Sequence, residues 1–425
     1  MNIPKIDLPR VVIIGAGFSG LKVAKRINTH RYQVVIIDKR NYHTFQPLLY
    51  QVASTGLEPD SIAYPIRKIL KSQKNTFFRL CNVDTIDKEK NRINTDIGDL
   101  SYDILVIATG AGNNFFGNKI IEKNALPMKS LIDALNLRSK ILGTFEEALN
   151  TKDLERRESL MNFIIVGGGP TGVELAGALA ELRNKVLASD YPDLDLRQMK
   201  INLIESAPRI LANMDKKSSE VAHKSLKELD VLIWTNTFVE NYDNNLVTTK
   251  TDLSFKADTF IWAAGVKGNM LKGIATEDQG KGNRIIVDEY CKLKSSDNIY
   301  VLGDIALIES NLYPKGLPML GSVAMQQGVY LAHYLNQKIK GNKTKPFVYK
   351  HKGIMATIGR NAAVVEMGNI KIQGLIAWAI WMFVHLMLLV GFRNRVVVFI
   401  NWVWKYINFN NSLRLIIRPY KTLKS

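Results

Sequence analysis

An α/β fold with two similar halves and a separate C-terminal helical region is predicted by three observations. Two glycine-rich turns stand about 150 residues apart, each between a buried strand and a helix. An acid closes the next apolar run after each turn, and the last stretch of chain is apolar, aromatic and free of acids. The first turn follows Arg10-Val11-Val12-Ile13-Ile14 and runs Gly15-Ala16-Gly17-Phe18-Ser19-Gly20. The second follows Asn162-Phe163-Ile164-Ile165-Val166 and runs Gly167-Gly168-Gly169-Pro170-Thr171-Gly172. The spacing puts glycine at the tight turn, where backbone nears a pyrophosphate, and where helix packs on strand, so that helix N–H groups face phosphate oxygens. One such turn arises easily by chance; two in strand–turn–helix context predict two Rossmann-like dinucleotide-binding domains.

The acids follow. Gln33-Val34-Val35-Ile36-Ile37 ends in Asp38, 23 residues after Gly15, with Lys39 beside it. Ile201-Asn202-Leu203-Ile204 ends in Glu205, 38 residues after Gly167. Such a carboxylate holds a ribose hydroxyl. The longer second gap is assigned to an inserted surface loop at Ser189-Asp190-Tyr191-Pro192-Asp193. A carboxylate at Glu205 would repel a 2′-phosphate, so NADH is expected over NADPH.

Three more buried runs close the sites. Those ending in Ala108-Thr109-Gly110 and Ala263-Ala264-Gly265 finish on small residues, which let backbone approach a flat ring or a pyrophosphate. The run Asn298 to Gly303 delivers Asp304, read as a partner for a flavin's ribityl chain rather than a simple helix cap. Two dinucleotide sites in one chain imply non-covalent FAD at the first turn and NADH at the second, held face to face. The expected limits are 1–113 with 290–345 for the FAD domain, 114–289 for the NADH domain, and 346–425 for a C-terminal membrane-anchoring region.

The 425 residues carry a net charge of +18, two cysteines and six histidines. Cys81 and Cys291 stand far apart, and no C-x-x-C or H-E-x-x-H occurs, so a disulfide scaffold, a dithiol relay and a metal centre all lack their ligands. Redox chemistry is left to an organic cofactor. Met1 to Pro9 has no signal-peptide pattern.

After Glu366 the remaining 59 residues hold no acid but include Arg393, Arg395, Lys405, Arg414 and Arg418. Leu375 to Val390 is an uncharged run of 16 residues, about 24 Å as a helix against the roughly 30 Å of a bilayer core. It spans only if its flanks are counted; a buried helix pair or a dimer contact is the alternative. Val396 to Asn408 leaves Asn394, Asn401, Lys405 and Asn408 as a narrow polar stripe on an apolar, aromatic helix, the pattern of a helix in the membrane interface. Ser412 to Ile417 is expected to continue it until Pro419. Basic residues interleaved with bulky aliphatics fit an anionic lipid surface and not nucleic acid. Electrons drawn from NADH and delivered at a membrane point to a quinone.

At this point the motifs resemble a family. His43-Thr44-Phe45-Gln46-Pro47-Leu48-Leu49-Tyr50-Gln51-Val52 is similar to the flavin-side signature of the type II, non-proton-pumping NADH:quinone oxidoreductases. Gly167 to Glu174, Ala263 to Val266, Leu302-Gly303-Asp304 and Gly391 to Arg395 match as well. The resemblance covers Val11 to about Ile417. It implies a monotopic, usually homodimeric enzyme on the cytoplasmic face of the cell membrane, its C-terminal helices framing a channel for menaquinone or ubiquinone. It implies that Glu174 lies near the flavin–nicotinamide contact and passes protons toward quinone. It places Pro47 and Leu48 in a rigid turn at the isoalloxazine, His43 against nearby backbone, and Gln326 on a quinone carbonyl with Gln327 at the flavin. Lys352 precedes a quinone-side strand at Met355 to Arg360. One departure stands out: Gly321-Ser322 replaces the family's Ala-Gln, which removes a long amide from the quinone rim. Rival readings are a sulfide:quinone oxidoreductase, a soluble NADH–ferredoxin reductase and a non-catalytic NADH-sensing flavoprotein.

Overall fold

A computed structural model describes residues 1–408, 413–416 and 420. The chain forms two compact units. Five helices matter below: α1 (Phe18–Arg26), α2 (Pro170–Leu182), α3 (Gly321–Lys338), α4 (Gly374–Leu388) and α5 (Phe392–Asn408).

The first unit holds residues 1–43, 64–112 and 266–351. Its five-stranded parallel sheet runs, in spatial order, Ile299–Val301, Ile104–Ile107, Arg10–Ile14, Gln33–Asp38 and Thr76–Leu80. Val11 to Ile13 and Val34 to Ile37 are fully buried, as a parallel strand covered on both faces requires. Helices α1 and α3 pack against each other.

The second unit holds residues 44–63, 113–265 and 352–425, within the described range. Its parallel sheet runs Leu126–Pro127, Thr259–Trp262, Asn162–Val166, Lys200–Ile204 and Leu232–Trp234. In both sheets the glycine turn leaves a central strand flanked by the acid-bearing strand on one side and the small-residue-ending strand on the other. The order of strands reverses at that strand, where open α/β sheets bind ligands.

These units depart from the expected domain limits. The chain rejoins the first unit at Val266, before residue 290, because Ile86 N–H bonds to Lys272 carbonyl and Arg284–Ile286 pairs with Gln279–Gly280 on one side and Ala306–Leu307 on the other in one small sheet. The C-terminal region packs within the second unit. There Ile354–Gly359, Ala362–Met367 and Ile370–Gln373 form an antiparallel sheet, and α4 seats Ala377 against Ala363 and Val365. Helix α2 lies so close to this sheet that a Cβ at Gly177 would fall on the Ile358 carbonyl.

Of the expected surface loop at Ser189–Asp193, the first two residues are helical and the chain turns only from Tyr191 on. Beyond Leu182 the helix passes through a π-turn at Arg183–Leu187 into Ala188–Asp190. Tyr191 then buries its ring 5.5 Å from Phe145 and donates to Glu146 over 2.8 Å, which ties the extension down. The tail also differs from expectation. Helix α5 stops at Asn408, residues 413–416 are not helical, and Arg414 pairs with the Asp190 carboxylate instead of facing outward. Ser412, Ile417 and Pro419 lie outside the described residues.

Candidate functional site

The first glycine turn is held from three sides. Asp38 Oδ2 accepts from Ala16 N–H over 2.7 Å and Oδ1 from Arg40 N–H over 2.8 Å. Burial raises the Asp38 pKa, and these two donors oppose the rise. His43 Nδ1 meets the Ala16 carbonyl at 3.0 Å, so the ring donates there. Burial drives His43 down to about 4, which keeps it neutral at physiological pH. That bond ties the His43 ring to the backbone of the glycine turn. Phe18 lies edge-on to it at 5.3 Å. Gly15 has φ +105°, and a Cβ there would strike the Ala108 carbonyl. Thr109 Oγ1 donates to Asn269 carbonyl over 2.8 Å, and Gly110 has φ +67°. Lys39 is exposed.

Whether this cradle fits a dinucleotide can be asked of Gly17. It caps α1 without a side-chain hydrogen bond, and its Cβ direction is open for 4 Å. The first-turn N–H groups of α1 are therefore uncapped by any side chain beside a free volume, which suits a pyrophosphate. Ser19 and Gly20 are buried and hold α1 to the sheet.

The second turn repeats the device. Glu205 Oε2 accepts from Gly168 N–H over 2.6 Å and Oε1 from Ala207 N–H over 2.7 Å. Gly169 caps α2 with no side-chain bond and an open Cβ direction, and Pro170 opens the helix where a missing N–H costs nothing. Thr171 is exposed and Gly172 buried. Gly167 packs under Ala263 and Ala264, and Gly265 has φ +76°.

Other expected residues fall less simply. Leu48 is fully buried in its own unit, while Pro47 beside it is exposed in a short 3₁₀ turn, so only the proline side of that turn is open. Gln327 is buried and accepts from Gly303 N–H over 2.6 Å, which steadies the turn carrying Asp304. The Gln326 amide, expected on a quinone carbonyl, is taken at both ends: it donates to Lys350 carbonyl over 2.9 Å and accepts from Lys350 N–H over 3.0 Å. Backbone of the segment before the tail sheet competes for it. Ser322 Oγ meets Tyr349 Oη at 3.1 Å. Lys352 is exposed, and it belongs to a different unit from Gln326.

A cavity of about 290 Å³ in the second unit gathers the remaining chemistry. Helix α2 contributes Glu174, Ala178 and Glu181 at i, i+4 and i+7. Tail elements contribute Thr357, Arg360, Trp378, Trp381, Trp402, Lys405 and Tyr406, and Tyr50, Gln51 and Ser54 complete the wall. Glu174 is 8% exposed, and burial raises its carboxyl to about 8, against weak support for the anion from Thr357 N–H at 3.4 Å. It is mostly a neutral acid at pH 7. Glu181 Oε1 accepts from Arg360 N–H, and the Arg360 guanidinium stacks 3.9 Å above the Tyr406 ring. Burial pulls the Lys405 ammonium down, and Glu181 opposes that shift. His385 stacks on Trp381 at 4.0 Å and bonds its carbonyl at 2.8 Å, a satisfied packing residue.

Of this wall, sequence reasoning gave Glu174 a role of its own, set Thr357 and Arg360 in the strand at 355–360 and Tyr50 and Gln51 in the His43–Val52 motif, and read Lys405 as part of the tail's polar stripe. The i+7 spacing from Glu174 to Glu181 on a buried helix was a usable signal. Nothing local could reveal that the tail's tryptophans turn toward Tyr50.

The polar stripe of α5 turns inward at Asn394, is half-buried at Asn401 and Lys405 and is exposed at Asn408. Asn394 is buried and donates to the carbonyls of Asp60 and Ala63 at 3.0 and 3.2 Å, with Val398 and Trp402 below it. The outward face is apolar: Phe392 is 81% and Phe399 51% exposed, joined by Ile400, Trp404 and Ile407, and on α4 by Leu375, Ile376 and Phe383. Among the described residues no helix is long and apolar enough to cross a membrane. No cluster that could hold a metal occurs among them either.

Comparison with known proteins agrees with this arrangement. Residues 9–328 match the family described as pyridine nucleotide-disulphide oxidoreductase, and residues 351–408 match the NDH2 C-terminal domain. The chain is 36% identical to the type II NADH:quinone oxidoreductase NdhA of Mycobacterium tuberculosis over 92% of its length and 86% of that protein's. It is 34% identical to Ndh of the same organism, over 94% and 88%. Among solved structures, NDH2 of Plasmodium falciparum in complex with NADH superposes with a TM-score of 0.87 at 23% identity, covering 96% of this chain and all of that one. The sulfide:quinone oxidoreductase of Aquifex aeolicus shares the fold at a TM-score of 0.72 and 18% identity, over 94% and 95%.

Proposed function

Because the chain belongs to the pyridine nucleotide-disulphide oxidoreductases and, within them, to the type II NADH:quinone oxidoreductases, we propose how its own residues carry electrons from NADH to a membrane quinone. FAD is assigned to the first glycine turn, with the uncapped start of α1 facing its pyrophosphate and Asp38, Thr109 and Asp304 around it. When bound, it accepts a hydride from NADH and gives up electrons to the acceptor one or two at a time. NADH is assigned to the second turn. There Glu205, already committed to the loop N–H groups, presents negative charge where NADPH would bring a phosphate.

The quinone is assigned to the cavity beneath α2. The observation that carries this reading is the raised carboxyl of Glu174 inside a wall of tryptophan and tyrosine. Reducing a quinone to a quinol consumes two protons, and a buried acid that stays protonated at pH 7 is a competent donor to a quinone oxygen. Lys405 and Arg360, on the same wall, favour negative charge developing on that oxygen. Gln326 and Lys352 remain outside this wall; their assignment to quinone rests on resemblance alone.

The exposed apolar faces of α4 and α5 are assigned to the lipid interface. Helix α4, 15 residues long, reaches about 22 Å, short of a bilayer core of roughly 30 Å. The enzyme then lies on one leaflet, taken as the cytoplasmic one, as a homodimer, with basic residues such as Arg393 and Arg395 near anionic headgroups. Sulfide chemistry is disfavoured: Cys81 and Cys291 are free thiols whose burial pushes both pKa values up, the reverse of what a nucleophilic pair needs.

The test is a spectrum of purified protein titrated with NADH and then with a ubiquinone or menaquinone analogue in detergent. Bleaching of a flavin band by the first and its recovery by the second is the expected result. A colourless protein, or one reoxidised by oxygen but by neither quinone, overturns the proposal.

A further inference from the structure

Donor inventories set the polarity of the hydrogen bonds in the cavity wall. An indole N–H can only donate. Trp402 Nε1 donates to Gln51 Oε1 over 2.8 Å, which orients the Gln51 amide with its nitrogen toward Tyr50. That nitrogen donates to Tyr50 Oη over 2.9 Å. The phenol oxygen is therefore an acceptor toward Gln51, and its own hydrogen is directed elsewhere. Tyr50 is 5% exposed; burial, with Glu174 and Glu181 nearby, keeps its hydroxyl protonated far above neutral pH.

A second donor stands beside it. Trp381 is 2% exposed, and its Nε1 is buried with no hydrogen-bond partner among the described residues. Its ring meets that of Tyr50 edge-on at 6.4 Å, and both residues line the cavity. A buried donor left without an acceptor is costly, so two of them on one wall mark a place where a ligand's acceptor oxygen belongs. The Glu174 carboxyl is the acceptor on this wall toward which the Trp381 indole is directed, and its anion draws some support from it, but no hydrogen bond of good geometry closes between the two.

We propose that Tyr50 and Trp381 are the pair of donors that reads the carbonyl oxygens of the cavity's occupant, and that Gln51 and Trp402 are positioning residues that aim the Tyr50 hydrogen. This rests on the quinone reading of the cavity. It also gives α5 a second task. Trp402 lies on the inward face of the helix whose outward face is apolar, so the seating of α5 controls the polarity of the quinone wall.

The experiment uses the full-length holoenzyme in detergent with a short-chain, water-soluble ubiquinone analogue. Tyr50→Phe and Trp381→Phe are each expected to raise KM for the quinone about tenfold, the loss of one well-placed hydrogen bond, while KM for NADH holds. Trp402→Phe keeps the ring but frees the Gln51 amide to turn, and should raise quinone KM about threefold. In the Tyr50→Phe background it should add nothing, since it works through that hydroxyl. Gln51→Glu is nearly isosteric but offers only acceptors. The Tyr50 hydrogen then turns toward residue 51, and quinone KM rises as in Tyr50→Phe. Equilibrium binding of the analogue to the oxidised enzyme, by calorimetry, should weaken in parallel, and flavin content per chain reports the folding of each variant.

The proposal is overturned if Tyr50→Phe or Gln51→Glu leaves quinone KM unchanged, or if the Tyr50 and Trp402 effects multiply. It is also overturned if KM for NADH rises as much as KM for quinone. Failure of the underlying reading looks different: the wild type itself bleaches with NADH and turns over with no quinone.

Discussion

Replacing Glu174 with glutamine should flatten the protein's stability against pH. The carboxyl is buried in the second unit and titrates at about 8 when folded, against 4.5 when exposed in the unfolded chain. Between those values the folded state holds a proton that the unfolded state has released. Stability is therefore fully present below about 4.5 and is lost as pH rises through about 8. The shift of about 3.5 units corresponds to about 5 kcal/mol at about 1.4 kcal/mol per unit. Glutamine keeps the size and the neutral hydrogen-bonding character without the titration. The assay is urea unfolding of holoenzyme and variant at half-unit steps from pH 5 to 9. The gap between the two curves should widen in the variant's favour by about 1.4 kcal/mol per pH unit from about 5 to 8 and then level off. A constant gap across that range would show that Glu174 is not a buried neutral acid, and its proposed donation to quinone would lose its physical basis. The same group predicts a kinetic limb: quinone reduction by the wild type should decline as pH rises past about 8.

Three further outcomes are expected. Asp38→Ala removes the acceptor of the Ala16 and Arg40 N–H groups, a loss of about 1–3 kcal/mol; flavin retained per chain after gel filtration should fall several-fold, and full retention would count against the assignment. Glu205→Ser lifts the charge that disfavours a 2′-phosphate, so the ratio of kcat/KM for NADH over NADPH should drop at least tenfold, and an unchanged ratio would place the discrimination elsewhere. Changing Phe399, Ile400 and Trp404 together to serine strips exposed apolar surface from α5. At about 1.5 kcal/mol or more per side chain, binding to anionic liposomes should weaken at least a hundredfold in flotation assays. Equal flotation of variant and wild type would refute the interfacial role.

Chemistry that is local in the chain was legible before any folding. The glycine turns, Asp38 and Glu205 each work through neighbours a strand and a turn away, so residue type and spacing carry the signal. The 16-residue length of the apolar run at 375–390 was legible for the same reason, whereas its placement across or along a membrane was left open. What depended on distant packing was not. Ser189 and Asp190 look loop-like in composition, yet they continue a helix that Tyr191 ties down against Phe145. The Gln326 amide matches a motif, but Lys350 backbone claims it. The stripe on α5 could be read as polar, but its direction could not; Asn394 faces inward, onto the carbonyls of Asp60 and Ala63, more than 300 residues away in the chain. The sequence alone determined the two turns to which the cofactors are assigned, since each is made by a contiguous strand–turn–helix segment. The tertiary structure decided where the cavity proposed for the acceptor lies and how the amide, phenol and indole groups of its wall are oriented. Those groups come from three separated stretches of chain, and burial in company, not residue type, sets their protonation and polarity.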